Sequence, residues 1–168
     1  MTFRLGHSGL KWLWLSVVVI VLDQWTKWLA SANLVLHDPV PITPSFNIML
    51  AHNTGAAFSF LSDAGGWQRW FFIVLAIAVS IVLVVWLARL AVTERWTAVS
   101  LSLVLGGAIG NVWDRIQLGY VVDFIQLYYD KWYWPAFNIA DSAICVGAVM
   151  LIIESFKGEK KEGSRGEN

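Results

Sequence analysis

The chain has 168 residues, the length of a single domain, but its composition excludes an ordinary soluble protein. Hydrophobic residues make up 57% of it and charged residues 14%. Soluble domains carry about 25% charged residues, so an integral membrane protein is indicated. The formal net charge is zero, which excludes nucleic acid as a partner because no basic surface is available to neutralise phosphates.

Four apolar segments are each long enough to cross a bilayer, which takes about 20 residues. The first covers about 11–32 and ends in Ala30-Ser31-Ala32, a sequence that also fits a signal-peptide cleavage site. Asp23 and Lys27 interrupt its last third, four residues apart as an acid before a base, which favours a retained helix. The other three segments are predicted at about 70–88, 96–114 and 134–153.

The loop between the first two segments, residues 33–69, is not purely polar. Pro39, Pro41 and Pro44 break any helix there. The hydrophobic residues of 39–50 favour short strands that lie at the membrane surface. The polar stretch that follows, His52 to Gly55, is typical of a turn.

Basic residues flank the apolar segments unevenly, and this predicts an orientation. Four spans place both termini on one side, and the positive-inside rule makes that side cytoplasmic. The loops 33–69 and 115–133 then face outward. The predicted fold is an all-α membrane protein with four transmembrane helices, one domain over 1–156 and a polar cytoplasmic tail at 157–168. The basic residues on the cytoplasmic side are Arg4, Lys11, Arg89, Arg95 and those of the tail.

The polar residues of the apolar segments gather toward the outward side. Asp123 and Asp141 lie among strongly apolar neighbours, where a carboxylate costs about 2.5–3.5 kcal/mol on insertion scales and is functional by default. Gly107 belongs to a face of small residues that permits close helix packing. Aromatic residues at 128, 129 and 132–134 mark the outer interface. The outward polar set is Asp23, Lys27, Asn53, Asn111, Arg115, Asp123, Asn138 and Asp141.

A pair of aspartates is the chemistry that this set offers. Two carboxyls held close share one proton, so one acts as a general base on water while the other supplies a proton. No serine and histidine are spaced as a catalytic pair, and the three histidines are too scattered to predict a metal site. Two alternatives stay open: structural salt bridges of Asp123 and Asp141 with Arg115 and Lys27, and a proton or ion pathway.

Five motifs make the chain resemble the lipoprotein signal peptidase (signal peptidase II) family. Each motif is weak alone, but five in this order over nearly the whole chain are specific. They are Asp23-Gln-Trp-Thr-Lys27, Asn53-Thr-Gly-Ala-Ala-Phe58, Gly106-Gly-Ala-Ile-Gly-Asn-Val-Trp-Asp-Arg115, Val122-Asp-Phe124 and Phe137-Asn-Ile-Ala-Asp141. The resemblance implies an aspartic endopeptidase of the bacterial inner membrane. Such an enzyme removes the signal peptide of prolipoproteins by cleaving before a diacylglyceryl-modified cysteine.

The resemblance also implies the site. Asp123 and Asp141 would be the catalytic dyad, and no metal or cofactor is expected. The expected substrate-binding or supporting residues are Asp23, Lys27, Asn53, Gly55, Gly107, Asn111, Arg115 and Asn138. The implied fold adds a small periplasmic β-sheet and a short interfacial helix near 59–68, and the 53–68 loop is a candidate lid.

The expected partners are diacylglyceryl-modified prolipoproteins, membrane lipid and globomycin-type cyclic peptide inhibitors, with the enzyme a monomer. The leading alternative function is a small proton-coupled membrane transporter subunit with a carboxylate relay, which needs polar residues through the full membrane depth. A scaffold protein whose buried ion pairs are purely structural is a third possibility.

Overall fold

The computed structural model describes residues 8–55 and 66–163, with side chains as far as residue 156. Four helices in this part are long and apolar enough to cross a membrane, and a small antiparallel sheet lies at one end of them. The fold predicted from the sequence, four helices with a small sheet, is confirmed. The helices are α1 (Leu13–Asn33, after a 3₁₀ turn at Gly9–Trp12), α2 (Trp67–Arg89), α3 (Arg95–Gln117) and α4 (Ile139–Gly163).

The sheet has four strands in the order β1-β2-β3-β4, all neighbours antiparallel. The strands are β1 (Val40–Thr43), β2 (Phe46–Asn53), β3 (Val121–Tyr129) and β4 (Trp132–Tyr133). The sequence predicted strands only within 39–50, so β3 and β4 correct that prediction. Asp123 therefore lies on a strand, where it pairs in register with Ala51 of β2.

The fourth helix begins at Ile139 and not at 134. Pro135 disfavours helical geometry in the residue before it, and Trp134 donates its backbone N–H to Leu127 of β3 at 2.8 Å. Phe137 continues this extended pairing through two backbone bonds with Ile125. At its other end the helix continues to Gly163, into the segment predicted as a polar tail.

The interfacial helix expected near 59–68 and the lid expected over 53–68 lie largely outside the described residues. Of these positions, 67 and 68 form the first turn of α2.

The helix α3 is central, and its glycines explain why. A Cβ on Gly106 would lie 2.9 Å from the carbonyl oxygen of Ser16 on α1, and one on Gly110 would lie 2.6 Å from Oδ2 of Asp23. A face without side chains lets helix backbones approach closely inside a bilayer. The predicted small-residue face of α3 is therefore where α1 packs, from Ser16 to Asp23.

The larger apolar core lies at the end of the bundle opposite to the sheet, and a smaller cluster of Ala30, Leu50 and Val122 lies beside the sheet. Much of the remaining surface of α1 and α2 is exposed and hydrophobic, as lipid-facing helices require. The buried residues of the larger core are Leu83, Leu87, Leu90, Ala98, Leu101 and Leu105.

Candidate active site

The strand β3 and the helix α4 bring together the two aspartates that the sequence singled out. Asp123 is the third residue of β3 and is 2% exposed, and Asp141 is the third residue of α4. The buried Asn138 contacts both: its Nδ2 donates to Oδ1 of Asp123 at 2.7 Å, and its backbone N–H donates to Oδ2 of Asp141 at 3.3 Å. One residue thus links the two carboxylates, through its side chain to Asp123 and through its backbone to Asp141.

The start of α4 fixes Asp141 through a reciprocal cap. The backbone N–H of Asp141 donates to Oδ1 of Asn138 at 2.8 Å, while the carboxylate of Asp141 accepts the N–H of Asn138. This is the geometry of a capping box, with Asn and Asp in place of the usual Ser or Thr and Glu. The local sequence Phe-Asn-Ile-Ala-Asp therefore starts the helix and orients the carboxylate at the same time.

Two further asparagines complete the bonding of the carboxylates. Asn111 on α3 donates to Oδ1 of Asp141 at 2.7 Å, and Asn53 at the end of β2 donates to Oδ2 of Asp123 at 3.1 Å. Each of the four carboxylate oxygens therefore accepts an N–H. Burial and the charge of Asp141 raise the pKa of Asp123 to about 7, although the bonds from Asn53 and Asn138 act to lower it.

Lys27 lies beside this pair without touching it. Its Nζ contacts Oδ2 of Asp23 at 2.8 Å, Oδ2 of Asp114 at 2.9 Å and Oδ1 of Asn111 at 3.0 Å. A lysine ammonium has three donors, so all of them are engaged. In the part of the chain that the structure describes, Lys27 makes no ion pair with Asp123.

Neither aspartate of the pair forms a salt bridge in the part of the chain that the structure describes. The open alternative of structural salt bridges to Lys27 and Arg115 is therefore wrong for these residues. Arg115 instead donates to the carbonyl oxygen of Gly55 at 2.7 Å and to that of Asn111 at 3.3 Å.

Arg115 holds the end of β2 next to the pair. The residue that it binds, Gly55, donates its N–H to Oδ1 of Asn53 at 3.0 Å, and Asn53 binds Asp123. Arg115 is 9% exposed, its guanidinium lies over the ring of Phe72, and its buried Nε has no described hydrogen-bond partner. A cationic group with a spare donor is thus held beside the two carboxylates.

Gly107 lies on α3, at the point where the start of α4 packs against it. A Cβ there would collide with the carbonyl oxygen of Ala140 and come within 2.7 Å of Cγ1 of Ile144. Only glycine therefore lets the first turn of α4, with Asp141, lie directly against α3.

Sequence reasoning missed two polar residues next to the site, the buried Asp114 and the half-buried Gln24. Nε2 of Gln24 donates to Oδ1 of Asp114 at 2.7 Å and to Oδ2 of Asp23 at 3.2 Å. Both lie inside motifs that the sequence analysis recognised. The available signal was the position of Asp114, one helical turn after Asn111 and therefore on the same face of α3.

A cavity of about 1040 Å³ opens beside the polar residues. Asp141 lines it, together with Asn53, Asn111 and Arg115, whereas Asp123 lies behind the lining. Most of the rest of the wall is apolar or aromatic, which suits a ligand with a large hydrophobic part. Its main contributors are Phe72, Leu127, Tyr128, Tyr129, Trp132, Tyr133, Trp134, Phe137, Ile144 and Val146.

Metal coordination has no support in the described ranges, 8–55 and 66–163. No group of three or more His, Cys, Asp and Glu residues there is placed to hold an ion.

Comparison with known proteins extends over nearly the whole chain. A family model described as signal peptidase (SPase) II matches residues 15–157. A lipoprotein signal peptidase of Acinetobacter baumannii is 57% identical over 159 residues, which cover 95% of this chain and 90% of that protein. One of Pseudomonas fluorescens is 56% identical, with coverages of 94% and 92%. A solved bacterial membrane enzyme, determined by the in meso method at 2.3 Å resolution, has a TM-score of 0.81 at 33% identity and 90% coverage of each chain.

Proposed function

Because the chain belongs to the signal peptidase II family of bacterial membrane proteases that process prolipoproteins, we propose that it is an aspartic endopeptidase with Asp123 and Asp141 as its catalytic dyad. It cleaves the prolipoprotein at the peptide bond directly before a diacylglyceryl-modified cysteine. The observation that carries this proposal is the placement of the two carboxylates. They come from different elements, share Asn138 as a donor and stand beside an apolar cavity.

The two carboxylates divide the acid and base roles of peptide hydrolysis. Asp141 lines the cavity and, in its ionised form, takes a proton from water as the water oxygen attacks the scissile carbonyl carbon. Asp123, whose raised pKa keeps it partly protonated near neutral pH, gives its proton to the carbonyl oxygen. The carbon–nitrogen bond then breaks, the proton on Asp141 passes to the leaving amine, and the diol proton returns to Asp123.

The remaining site residues support this chemistry. Asn53, Asn111 and Asn138 hold the carboxylates, and Arg115, which lines the cavity, offers positive charge to the substrate's carbonyl groups. Gly55 and Gly107 permit close backbone approach in the loop and at the start of α4. Asp23 and Lys27 anchor the first helix to the site, which favours its retention over cleavage as a signal peptide.

The substrate explains the place of the site in the membrane. A precursor with a diacylglyceryl group stays in the bilayer, so its protease must present carboxylates near the interface, with access for lipid and water. We place the sheet and the dyad on the periplasmic side of the inner membrane and both termini in the cytoplasm. The positive charges at Arg89 and Arg95, between α2 and α3 at the opposite end, support this orientation. The enzyme acts as a monomer, and globomycin-type cyclic peptides bind in the cavity as substrate mimics.

A transporter with a carboxylate relay has less support. A relay needs titratable groups through the membrane depth. In the described part of the spans, the ionisable side chains lie in the outward half or near the opposite helix ends. The buried polar residues deeper in the bundle include Ser16 and Ser102, and these donate to main-chain carbonyl oxygens.

The test is a pair of near-isosteric variants, Asp123→Asn and Asp141→Asn, with Asp130→Asn as the matched control. Asp130 is exposed in the turn between β3 and β4 and has a φ of 52°, which asparagine tolerates. Cleavage of a diacylglyceryl-modified precursor is measured together with thermal unfolding in detergent. We expect both dyad variants to stay folded and to lose at least about 10³-fold in kcat/KM, while the control cleaves like the parent. Substantial cleavage by either folded dyad variant would refute the assignment.

A further inference from the structure

We propose that Asp23, Lys27 and Asp114 form a clamp that sets the separation of the two dyad carboxylates, with Asp114 as a positioning residue. This inference rests on the proposed function, because it concerns the geometry of Asp123 and Asp141. The three clamp residues are at most 3% exposed, and none of them lines the cavity.

One arm of the clamp holds the start of α4. Oδ1 of Asp23, on α1, accepts the backbone N–H of Ala140 at 2.9 Å. Ala140 directly precedes Asp141 and is fully buried. The N–H groups of a first helical turn have no partner within the helix, so Asp23 supplies one from another helix. It thereby fixes the height of the first turn of α4 relative to α1.

The other arm holds β3 in the same way. Oδ2 of Asp114, on α3, accepts the backbone N–H of Val122 at 3.1 Å. Val122 directly precedes Asp123. Each acidic residue of the clamp therefore binds the N–H of the residue just before one dyad aspartate.

Lys27 joins the two arms. Its Nζ lies 2.8 Å from Asp23 and 2.9 Å from Asp114, and its third donor goes to Asn111, which in turn binds Asp141. Gln24 adds a second bridge, since its Nε2 donates to both acidic residues. The distance between the backbone at 122 and the backbone at 140 is thus set by side chains that are themselves bonded to one another.

Stability alone does not account for this arrangement. A buried ion cluster is often no more stabilising than apolar side chains of the same volume. Fully bonded polar groups do impose one geometry, and a shift of about 1 Å at an active site can lower the rate by about 10²-fold. Geometry is therefore what the clamp contributes.

The first test is Asp114→Asn, which keeps an oxygen for the N–H of Val122 but loses the charge that holds Lys27. The matched control is Ser16→Ala, which removes a buried 2.7 Å bond from α1 to the carbonyl of Ser102 on α3, away from the dyad. We expect Asp114→Asn to lower kcat by about 10–100-fold, the range of second-layer effects, with KM within about threefold of the parent value. If its kcat per folded molecule equals that of Ser16→Ala, the clamp is refuted.

The pH profile of kcat separates geometry from charge. Two carboxylates held close titrate in two well-separated steps, so the acid and alkaline limbs should move toward each other when the clamp loosens. Loss of a nearby charge alone displaces both limbs in the same direction. A displaced profile of unchanged width in Asp114→Asn would contradict positioning.

If Asp114→Asn does not fold, Gln24→Met tests the clamp instead. It keeps the ion cluster and removes only the amide that bridges Asp23 and Asp114. We expect about a 3–10-fold lower kcat with KM unchanged, and a parent-like kcat would overturn the clamp. The dyad variants, assayed alongside, distinguish the two possible failures. Cleavage by Asp123→Asn or Asp141→Asn refutes the dyad itself, whereas their inactivity with a parent-like Gln24→Met refutes the clamp alone.

Discussion

The two ends of the helix bundle are held together by different interactions. At the sheet end, buried polar side chains bond from one element to another, as Asn138 does to Asp123 and Lys27 does to Asp114. At the opposite end, leucines form the core, and Ser100 and Ser102 donate to carbonyl oxygens of their own helix, four residues earlier. Apolar packing makes the helices associate, whereas a fully bonded polar network fixes where individual atoms stand. Substitutions at the two ends should therefore affect different properties.

The largest effect is expected for Asn138→Leu, which removes the Nδ2 donor to Asp123 and the Oδ1 cap that accepts the backbone N–H of Asp141. We expect kcat/KM to fall by about 10²–10³-fold, the range for loss of a preorganised donor. The control is Asn47→Leu, which removes a buried asparagine that donates to Gln126 across the sheet at 3.1 Å. Precursor cleavage per folded molecule should stay near the parent value in the control. An equal loss of kcat/KM in both variants would mean that any buried asparagine at the sheet end affects cleavage. Asn138 would then have no special role in holding the dyad.

Two glycines on the α3–α4 interface compare the ends directly. A methyl group on Gly107 meets the carbonyl of Ala140 at the start of α4, and one on Gly147 meets the carbonyl of Ser100 at 2.6 Å deeper in the bundle. Both alanine variants should lower the unfolding temperature because both force the helices apart. Only Gly107→Ala should also lower kcat, by about 10–100-fold, because it displaces Asp141. A kcat loss of the same size in Gly147→Ala would show that packing anywhere controls catalysis.

The pH dependence of cleavage tests the role of Asp123. Since its pKa is raised to about 7 and the proposed reaction needs its proton, kcat/KM should fall as pH rises through 7. One unit above that pKa the loss should be about tenfold. The measurement is cleavage of the lipid-modified precursor between pH 5 and pH 9, with folding checked at each pH. A rate that stays constant to pH 9 would exclude Asp123 as the proton donor.

The smallest effect is on stability. Because the pKa of Asp123 is raised in the folded protein, the unfolded chain releases this proton first. Folded stability is therefore lost as pH rises from about 4 toward 7. Asp123→Asn has no such group, so it should gain unfolding temperature relative to the parent as the pH rises. The gain between pH 4 and pH 8 should be on the order of 10 °C. Asp130→Asn is the matched control at an exposed position. A gain in unfolding temperature for Asp123→Asn that is equal at both pH values would argue against a partly neutral, buried carboxyl.

Much of the fold could be read from hydropathy, but the sheet could not be read fully. The four spans are visible because membrane helices need long uncharged runs. The strands β3 and β4 were missed because Val121 to Tyr129 falls within 115–133, which the topology assigns to an outward-facing loop. Its β-branched and aromatic residues favour a strand, but pairing with β2 is a long-range contact. The start of α4 was placed too early for a related reason: the pairing of Trp134 and Phe137 with β3 removes them from the helix.

The candidate site divides in the same way. Asp123 and Asp141 are conspicuous in sequence because each is a charge among apolar residues. Asp114 is less conspicuous because it adjoins Arg115 near the end of a span, where charges are common. Its importance appears only through its bonds to Lys27, Gln24 and the N–H of Val122.

The sequence by itself determined that this chain crosses a membrane four times, that its polar residues gather toward one end and that two aspartates stand out among them. These properties follow from composition and local spacing, since a residue's transfer free energy and helical period depend on its near neighbours. Only the tertiary structure decided which groups bond to which. Lys27 binds Asp23 and Asp114 and leaves the dyad carboxylates to asparagines. Those partners lie far apart in the chain, and they meet because α3 carries glycines where α1 and α4 must approach it.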